Sequence, residues 1–204
     1  MSCRNYNELS PGLKGLTRLN LGCGDFPEAD ALNIDVRPEA RCDLVLNLNN
    51  TDELGKLPQG KFEYISLFHV LEHLDDPFGM IRACVSLLKP GGILQIRVPH
   101  FSRGFTHSEH KHGFDVGLPH YFNPKLPSFF YGPALELVSL RLDWTIRPDI
   151  YRMVIPDWQV EIIRAINAIL TPLANLSPGL CSRIWCYWVG GFEQIEYRFR
   201  KSEN

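Results

Sequence analysis

The chemistry in this chain is concentrated in its imidazoles. All seven histidines (His69, His73, His100, His107, His110, His112 and His120) fall between positions 69 and 120, and none lies elsewhere in the 204 residues. An imidazole can take up or release a proton near neutral pH, or give a ring lone pair to a metal ion. His69 and His73 stand at i and i+4 with Glu72 between them, so at the start of a helix they would share a face. Two imidazoles and one carboxylate, with a fourth ligand from His107, His110 or His112, would suit zinc or iron better than magnesium. The alternative use of each histidine is structural, donating to backbone carbonyls in a long loop. The expectation is that no metal is needed, with His69, Glu72 and His73 the candidate ligands should one bind.

A second feature is the turn Gly22-Cys23-Gly24-Asp25, which stops an apolar run abruptly. Without a Cβ, glycine lets backbone approach a ligand closely. A dinucleotide fingerprint needs a third glycine, and Pro27 stands there instead, which disfavours NAD or FAD. Only Asp25 to Ala31 separates Gly24 from the next apolar run, too little for a full helix. A pyrophosphate would want that helix N-terminus. Asp35, closing the next run, is placed to accept hydrogen bonds from a ribose diol.

These residues need elements to hold them. Leu16 to Leu21, Leu32 to Val36, Asp43 to Leu48, Phe62 to Phe68 and Ile93 to Val98 read as five strands. Leu71 to Leu88 runs at helical spacing until Lys89-Pro90-Gly91-Gly92 ends it. Strands alternating with helical stretches indicate an α/β architecture with a largely parallel sheet. Leu137 to Ile146 and Phe192 to Arg200 read as two last strands. Between them Val160 to Leu173 carries Ile162, Ile163, Ile166, Ile169, Leu170 and Leu173 on one face, with Glu161, Arg164 and Asn167 opposite. That face is expected to pack on its own domain; a membrane or lipid-like ligand is the alternative, though the polar face lacks the basic density of a membrane binder.

Composition sets the outer bounds. The length suits one domain, which buries roughly 70% of its unfolded surface and folds without disulfides or structural metal. With 21 Lys and Arg against 23 Asp and Glu, no nucleic-acid partner is expected. The six cysteines form no CxxC pair, which fits a reducing compartment. No apolar run is long enough to span a membrane and no secretory signal opens the chain. The expected location is cytoplasmic.

The series LNLGCG (Leu19 to Gly24), NIDV (Asn33 to Val36), DLVLNL, FHVLEHL (Phe68 to Leu74) and LLKPGGILQIRVP (Leu87 to Pro99) resembles the class I S-adenosyl-L-methionine-dependent methyltransferases over residues 16 to about 100. The resemblance implies a doubly wound, Rossmann-like α/β fold. Its seven-stranded sheet would be mostly parallel with an antiparallel last strand, and its first helix shortened. It implies that Leu21, Gly22, Cys23 and Gly24 line the cofactor, that Asp35 holds the ribose hydroxyls, that Val36, Asn47 and Leu48 flank the adenine, and that Phe68 and His69 close over the methionine portion. Asn47 stands where many relatives have Asp, and Phe26 replaces a further glycine. The loop around Thr106 to His112 resembles one in which a histidine follows a polar tetrad, and His110 is the residue that matches.

The expected organisation is one methyltransferase domain over 1–204, with a His- and aromatic-rich active-site loop at 99–131 and an insertion at 147–191. The expected reaction is methyl transfer to a small-molecule or glycan-type acceptor, at oxygen rather than nitrogen, with His110 as general base and His73 as the second candidate. Cys23 belongs to the cofactor turn and is not a nucleophile. Phe101, Phe105, Phe114, Tyr121, Phe122, Phe129, Phe130 and Tyr131 form either the core of the loop or a flat wall for a ring-bearing substrate, which Trp144, Trp158, Trp185 and Trp188 could extend. The rival reading is a non-catalytic S-adenosylmethionine-binding partner subunit that docks, or dimerises, through an exposed Trp185-Cys186-Tyr187-Trp188 patch.

Overall fold

The computed structural model describes residues 5–104 and 107–202, so Cys3, Phe105 and Thr106 lie outside the described residues. Seven strands form one sheet: β1 (Arg18–Leu21), β2 (Leu32–Asp35), β3 (Leu44–Val45), β4 (Phe62–Phe68), β5 (Leu88–Pro99), β6 (Leu135–Asp143) and β7 (Gln194–Lys201). Their order is β3-β2-β1-β4-β5-β7-β6. The first five run parallel, and β7 is antiparallel to both β5 and β6. This is the expected doubly wound sheet, with the antiparallel strand where it was expected. The helices are α1 (Pro11–Gly15), α2 (Thr51–Leu54), α3 (Pro77–Leu87), α4 (Phe101–Gly104), α5 (Asp157–Leu176) and α6 (Pro178–Arg183). Among the described residues no helix is long and apolar enough to cross a membrane.

Strand order reverses between β1 and β4, and that switch opens the crevice at the carboxyl ends of both strands where open α/β sheets bind ligands. The crevice floor is rigid because the central strands are buried on both faces: Leu19, Leu21, Ile34, Ile65, Leu67, Leu94 and Ile96 have essentially no exposure. Residues 22–31 carry the chain from β1 to β2 with no helix at all. Two buried asparagines replace the hydrogen bonds that a helix would supply. Asn20 Nδ2 donates to Asn33 Oδ1 (3.0 Å) and to the Phe26 carbonyl (3.3 Å). Asn33 takes the Glu28 N–H at 2.8 Å and donates to the Glu28 and Ala31 carbonyls. The loop's backbone groups are thereby satisfied inside the fold.

Three expected elements differ. The helix read from Leu71 to Leu88 is a single 3-10 turn, Leu71–His73, followed by α3. Pro77 restricts Asp76 to non-helical backbone, and the Asp76 carboxylate caps the new helix by accepting the Gly79 N–H at 2.7 Å. The strand read from Asp43 to Leu48 pairs only at Leu44–Val45, because Asn47 starts a turn in which its carbonyl accepts the Asn50 N–H. The apolar face of α5 is turned outward: Ile162, Ile166, Ile169 and Leu173 are exposed. The inner face is small and polar instead. Asn175 bonds both backbone groups of Leu142, Thr171 Oγ1 accepts from Trp144, and Asn167 Oδ1 accepts from Thr145. In this way α5 covers open backbone groups at the end of edge strand β6.

Candidate functional site

The glycine turn sits at the carboxyl end of β1. Gly22 and Gly24 adopt φ of +70° and +52°, which a side chain would strain. A Cβ on Gly22 would collide with the Val70 side chain that descends from the end of β4. Gly22 and Cys23 both donate their N–H to the Ile34 carbonyl, at 2.8 and 3.0 Å. Burial pushes the Cys23 thiol up to about 12, with the Asp35 carboxylate adding to the effect, so it stays protonated and inert.

Asp35 is buried at the end of β2. Its Oδ2 accepts the Gly24 N–H at 2.8 Å and its Oδ1 the Arg37 N–H at 2.9 Å. Each oxygen keeps a further lone pair, the requirement for gripping a vicinal diol. Arg37 Nε also reaches Oδ1 at 3.4 Å, so a diol would compete with that exposed side chain. Of the other residues read as cofactor contacts, Leu21 and Leu48 are buried. Asn47 is exposed, with its N–H held by Glu53. Val36 is exposed beside Asp35, and Phe68 is half-buried under the Arg97 guanidinium. An adenosyl group with an amino-acid tail fits this set: two bare backbone turns for close approach, a carboxylate for the diol and apolar flanks.

The histidines divide sharply. His100 has no exposure; its Nε2 donates to Ser182 Oγ (2.8 Å) and its Nδ1 meets Ser102. Burial pushes it down to about 4, so it is a neutral core residue and neither base nor ligand. His112 Nε2 donates to the Leu74 carbonyl, and His120 is exposed on the 3-10 turn Leu118–Phe122.

His73 and His110 come together with Glu72, one ligand atom from each lying within 4.8 Å of the others. His73 Nδ1 donates to the Glu109 carbonyl (3.3 Å) and His110 Nδ1 to the Gly104 carbonyl (2.5 Å). Each ring therefore keeps its Nε2 lone pair. His69 does not share a helical face with His73, since it stands before the 3-10 turn at φ +57°. Its Nδ1 lies 3.3 Å from Glu72 Oε1, and its Nε2 faces Gln194 Oε1 at 3.0 Å. Gln194 and its partner Asp143, which accepts from Gln194 Nε2 at 3.2 Å, carry no signal in the sequence. No motif marks them, because β7 reaches β4 only through the fold.

A cavity of about 490 Å³ has walls that include Phe78, His112, Asp115, Tyr121 and Tyr131. It is within the usual range for small-molecule sites. Of the other aromatic residues of the loop, Phe114 and Phe122 are core, while Phe129 and Phe130 are exposed. In the C-terminal patch Tyr187 and Trp188 are exposed, Trp185 is half-buried, and Cys186 is fully buried rather than part of the surface.

Comparison with known proteins follows the same outline. A family model described as a methyltransferase domain matches residues 3–138. A ubiquinone biosynthesis O-methyltransferase of Xanthomonas campestris is 31% identical over 109 residues, covering 44% of this chain and 46% of that protein. The protein of the same name from Acinetobacter baylyi is 31% identical over 106 residues, covering 42% and 44%. The chain thus spans just under half the length of these relatives. Among solved structures, a SAM-dependent methyltransferase from Archaeoglobus fulgidus superposes with a TM-score of 0.55 at 17% identity, covering 94% of this chain and 89% of that one. A putative methyltransferase of Haloferax volcanii, solved with the Trm112 activator, gives 0.52 at 12% identity, covering 94% and 85%.

Proposed function

The chain belongs to the methyltransferase-domain family, and on that premise we propose that it moves a methyl group from S-adenosyl-L-methionine to an oxygen of a small, ring-bearing molecule. What supports the reading is the Gly22–Gly24 turn and Asp35 at the switch point, with Val70 packed against Gly22 two residues before Glu72, which groups with His73 and His110. When bound, the cofactor supplies a methyl on a positively charged sulfur, already activated for displacement. What remains for the protein is to hold donor and acceptor in line and to remove one proton.

Gly22 and Gly24 admit the methionine portion, and Asp35 fixes the ribose. The cavity walled by Phe78, Tyr121 and Tyr131 takes the acceptor ring, with His112 and Asp115 as its polar contacts. In the metal-free protein the hydroxyl proton goes to Nε2 of His110, whose ring is held by Gly104, with His73 beside it. The acceptor oxygen forms its bond to the methyl as the sulfur–methyl bond breaks, and that electron pair stays on sulfur. Ubiquinone O-methyltransferases match 44% of the chain and act, by their name, at oxygen, which supports the choice of atom.

The second reading, a cofactor-binding partner subunit, draws on the exposed side chains of Trp158, Ile162, Ile169 and Leu173 on α5 and of Tyr187 and Trp188. One experiment separates the two. Titration with S-adenosylhomocysteine should give micromolar binding under either reading. Incubation with labelled cofactor and a panel of phenols and hydroxylated sugars should then transfer label for the enzyme, and His110→Ala should abolish transfer while keeping cofactor binding. Binding with no transfer to any acceptor would favour the partner subunit.

A further inference from the structure

We infer that Glu72, His73 and His110 form a binding site for a divalent transition-metal ion. Glu72 has no exposure, and neither carboxylate oxygen has a hydrogen-bond partner among the described residues. A buried carboxylate without a partner is among the least tolerable groups in a protein interior, and such groups are paired or coordinate metals. Lys111 and Arg97 are committed elsewhere, Lys111 to Asp75 at 2.6 Å and Arg97 to Glu196.

His69 does not discharge the need. The Asp143 carboxylate can only accept, so Gln194 presents its NH₂ group to Asp143 and its oxygen to His69. His69 Nε2 must then carry the proton. Its Nδ1 lies 3.3 Å from Glu72 Oε1 but makes no hydrogen bond with it.

The other two rings are set the same way. Glu109 and Gly104 carbonyls fix a proton on Nδ1 of His73 and His110, leaving Nε2 free on each. Imidazoles whose far nitrogen is held by a carbonyl are the usual outer support of metal-ligating histidines. One ligand atom of each residue lies within 4.8 Å of the others, so small side-chain rotations bring all three onto one ion. His107 stacks on His110 at 4.7 Å, but its Nδ1 accepts the Glu109 N–H, so it walls the site and need not ligate. Two imidazoles and one carboxylate select zinc, iron or cobalt over magnesium and calcium.

The binding claim stands on these contacts alone, whereas a part in catalysis rests on the methyltransferase reading above. In that reading an ion held by Glu72, His73 and His110 would act as a Lewis acid toward the acceptor oxygen. With an ion bound, the hydroxyl proton would leave to solvent water and His110 would be a ligand, its role as base being that of the metal-free protein.

The test uses the full chain stripped with chelator and titrated with Co²⁺, followed by its visible absorption, then with Zn²⁺ in competition. One ion per chain should bind with micromolar or tighter affinity. Glu72→Gln, His73→Ala and His110→Ala should each weaken it at least 100-fold, while His120→Ala leaves it unchanged. Circular dichroism and S-adenosylhomocysteine titration of each variant show that the fold and cofactor site persist. No stoichiometric binding to the wild type, or Glu72→Gln binding as tightly as wild type, overturns the site. Loss of homocysteine-cofactor binding in a wild type that still binds cobalt would instead remove the methyltransferase reading and leave the metal site standing.

Discussion

The Oδ2 of Asp35 accepts the backbone N–H of Gly24 at 2.8 Å, tying the end of β2 to the turn that follows β1. One carboxylate therefore shapes the glycine turn and offers the grip for a diol. These two tasks cannot be removed separately.

Asp35→Ala should accordingly cost both binding and stability. Sequence alone suggests a loss of cofactor affinity in an intact fold. The structure adds that the N–H groups of Gly24 and Arg37 lose a charged acceptor, a change that costs about 2 kcal/mol. Calorimetric titration with S-adenosylhomocysteine should show affinity falling at least 100-fold, and urea unfolding should show the loss of stability. Unchanged affinity would remove Asp35 from the ribose site.

Gly22→Ala tests the other side of the crevice. The alanine would have to hold φ near +70° and displace the Val70 methyl group. The backbone term is worth roughly 1–2 kcal/mol and the overpacking roughly 1–3 kcal/mol. Val70→Ala in the same chain should recover only the second part. A double-mutant cycle by urea unfolding measures the coupling, and strict additivity would mean that the two residues do not meet as described.

Much of this arrangement is legible in the sequence because it is local. Gly22, Gly24 and Asp35 announce themselves by following apolar runs, and the alternation of strands and helices points to the doubly wound sheet. The breaks at Asp76 and Asn47 are harder to read, since side-chain caps there override the apolar period. The turn of α5 is illegible for a different reason. Its isoleucines recur at helical spacing and name an apolar face, but Asn167, Thr171 and Asn175 find better partners on β6 and the residues after it than the isoleucines do. Likewise Gln194 orients His69 across 125 residues of chain, and no spacing rule reaches so far.

His100 makes stability depend on pH. Its folded value of about 4 lies below its ordinary 6.5 because burial between Ser102 and Ser182 disfavours the charged ring. Between those values the unfolded chain binds the extra proton, so the contribution is complete above pH 6.5 and is lost as pH falls toward 4. The full window corresponds to roughly 3 kcal/mol. Urea unfolding at several pH values between 4 and 7.5 should show His100→Gln with a flatter profile than wild type. Parallel profiles would mean that the buried ring is not the proton-linked group.

Glu72→Gln should make the chelator-stripped protein more stable. In wild type the buried carboxyl group has no hydrogen-bond partner and lies 3.3 Å from His69 Nδ1, whereas an amide of the same shape carries no charge and can donate as well as accept. Replacing an uncompensated buried charge in this way should gain on the order of 1–3 kcal/mol. Saturating zinc should reverse the order, because an ion that binds the native state of wild type alone stabilises it in proportion to the logarithm of its concentration. Thermal unfolding of both proteins with chelator and with zinc reads the two effects together. A variant less stable than wild type in chelator would show that Glu72 is already compensated by its protein surroundings, with no strain left for an ion to relieve.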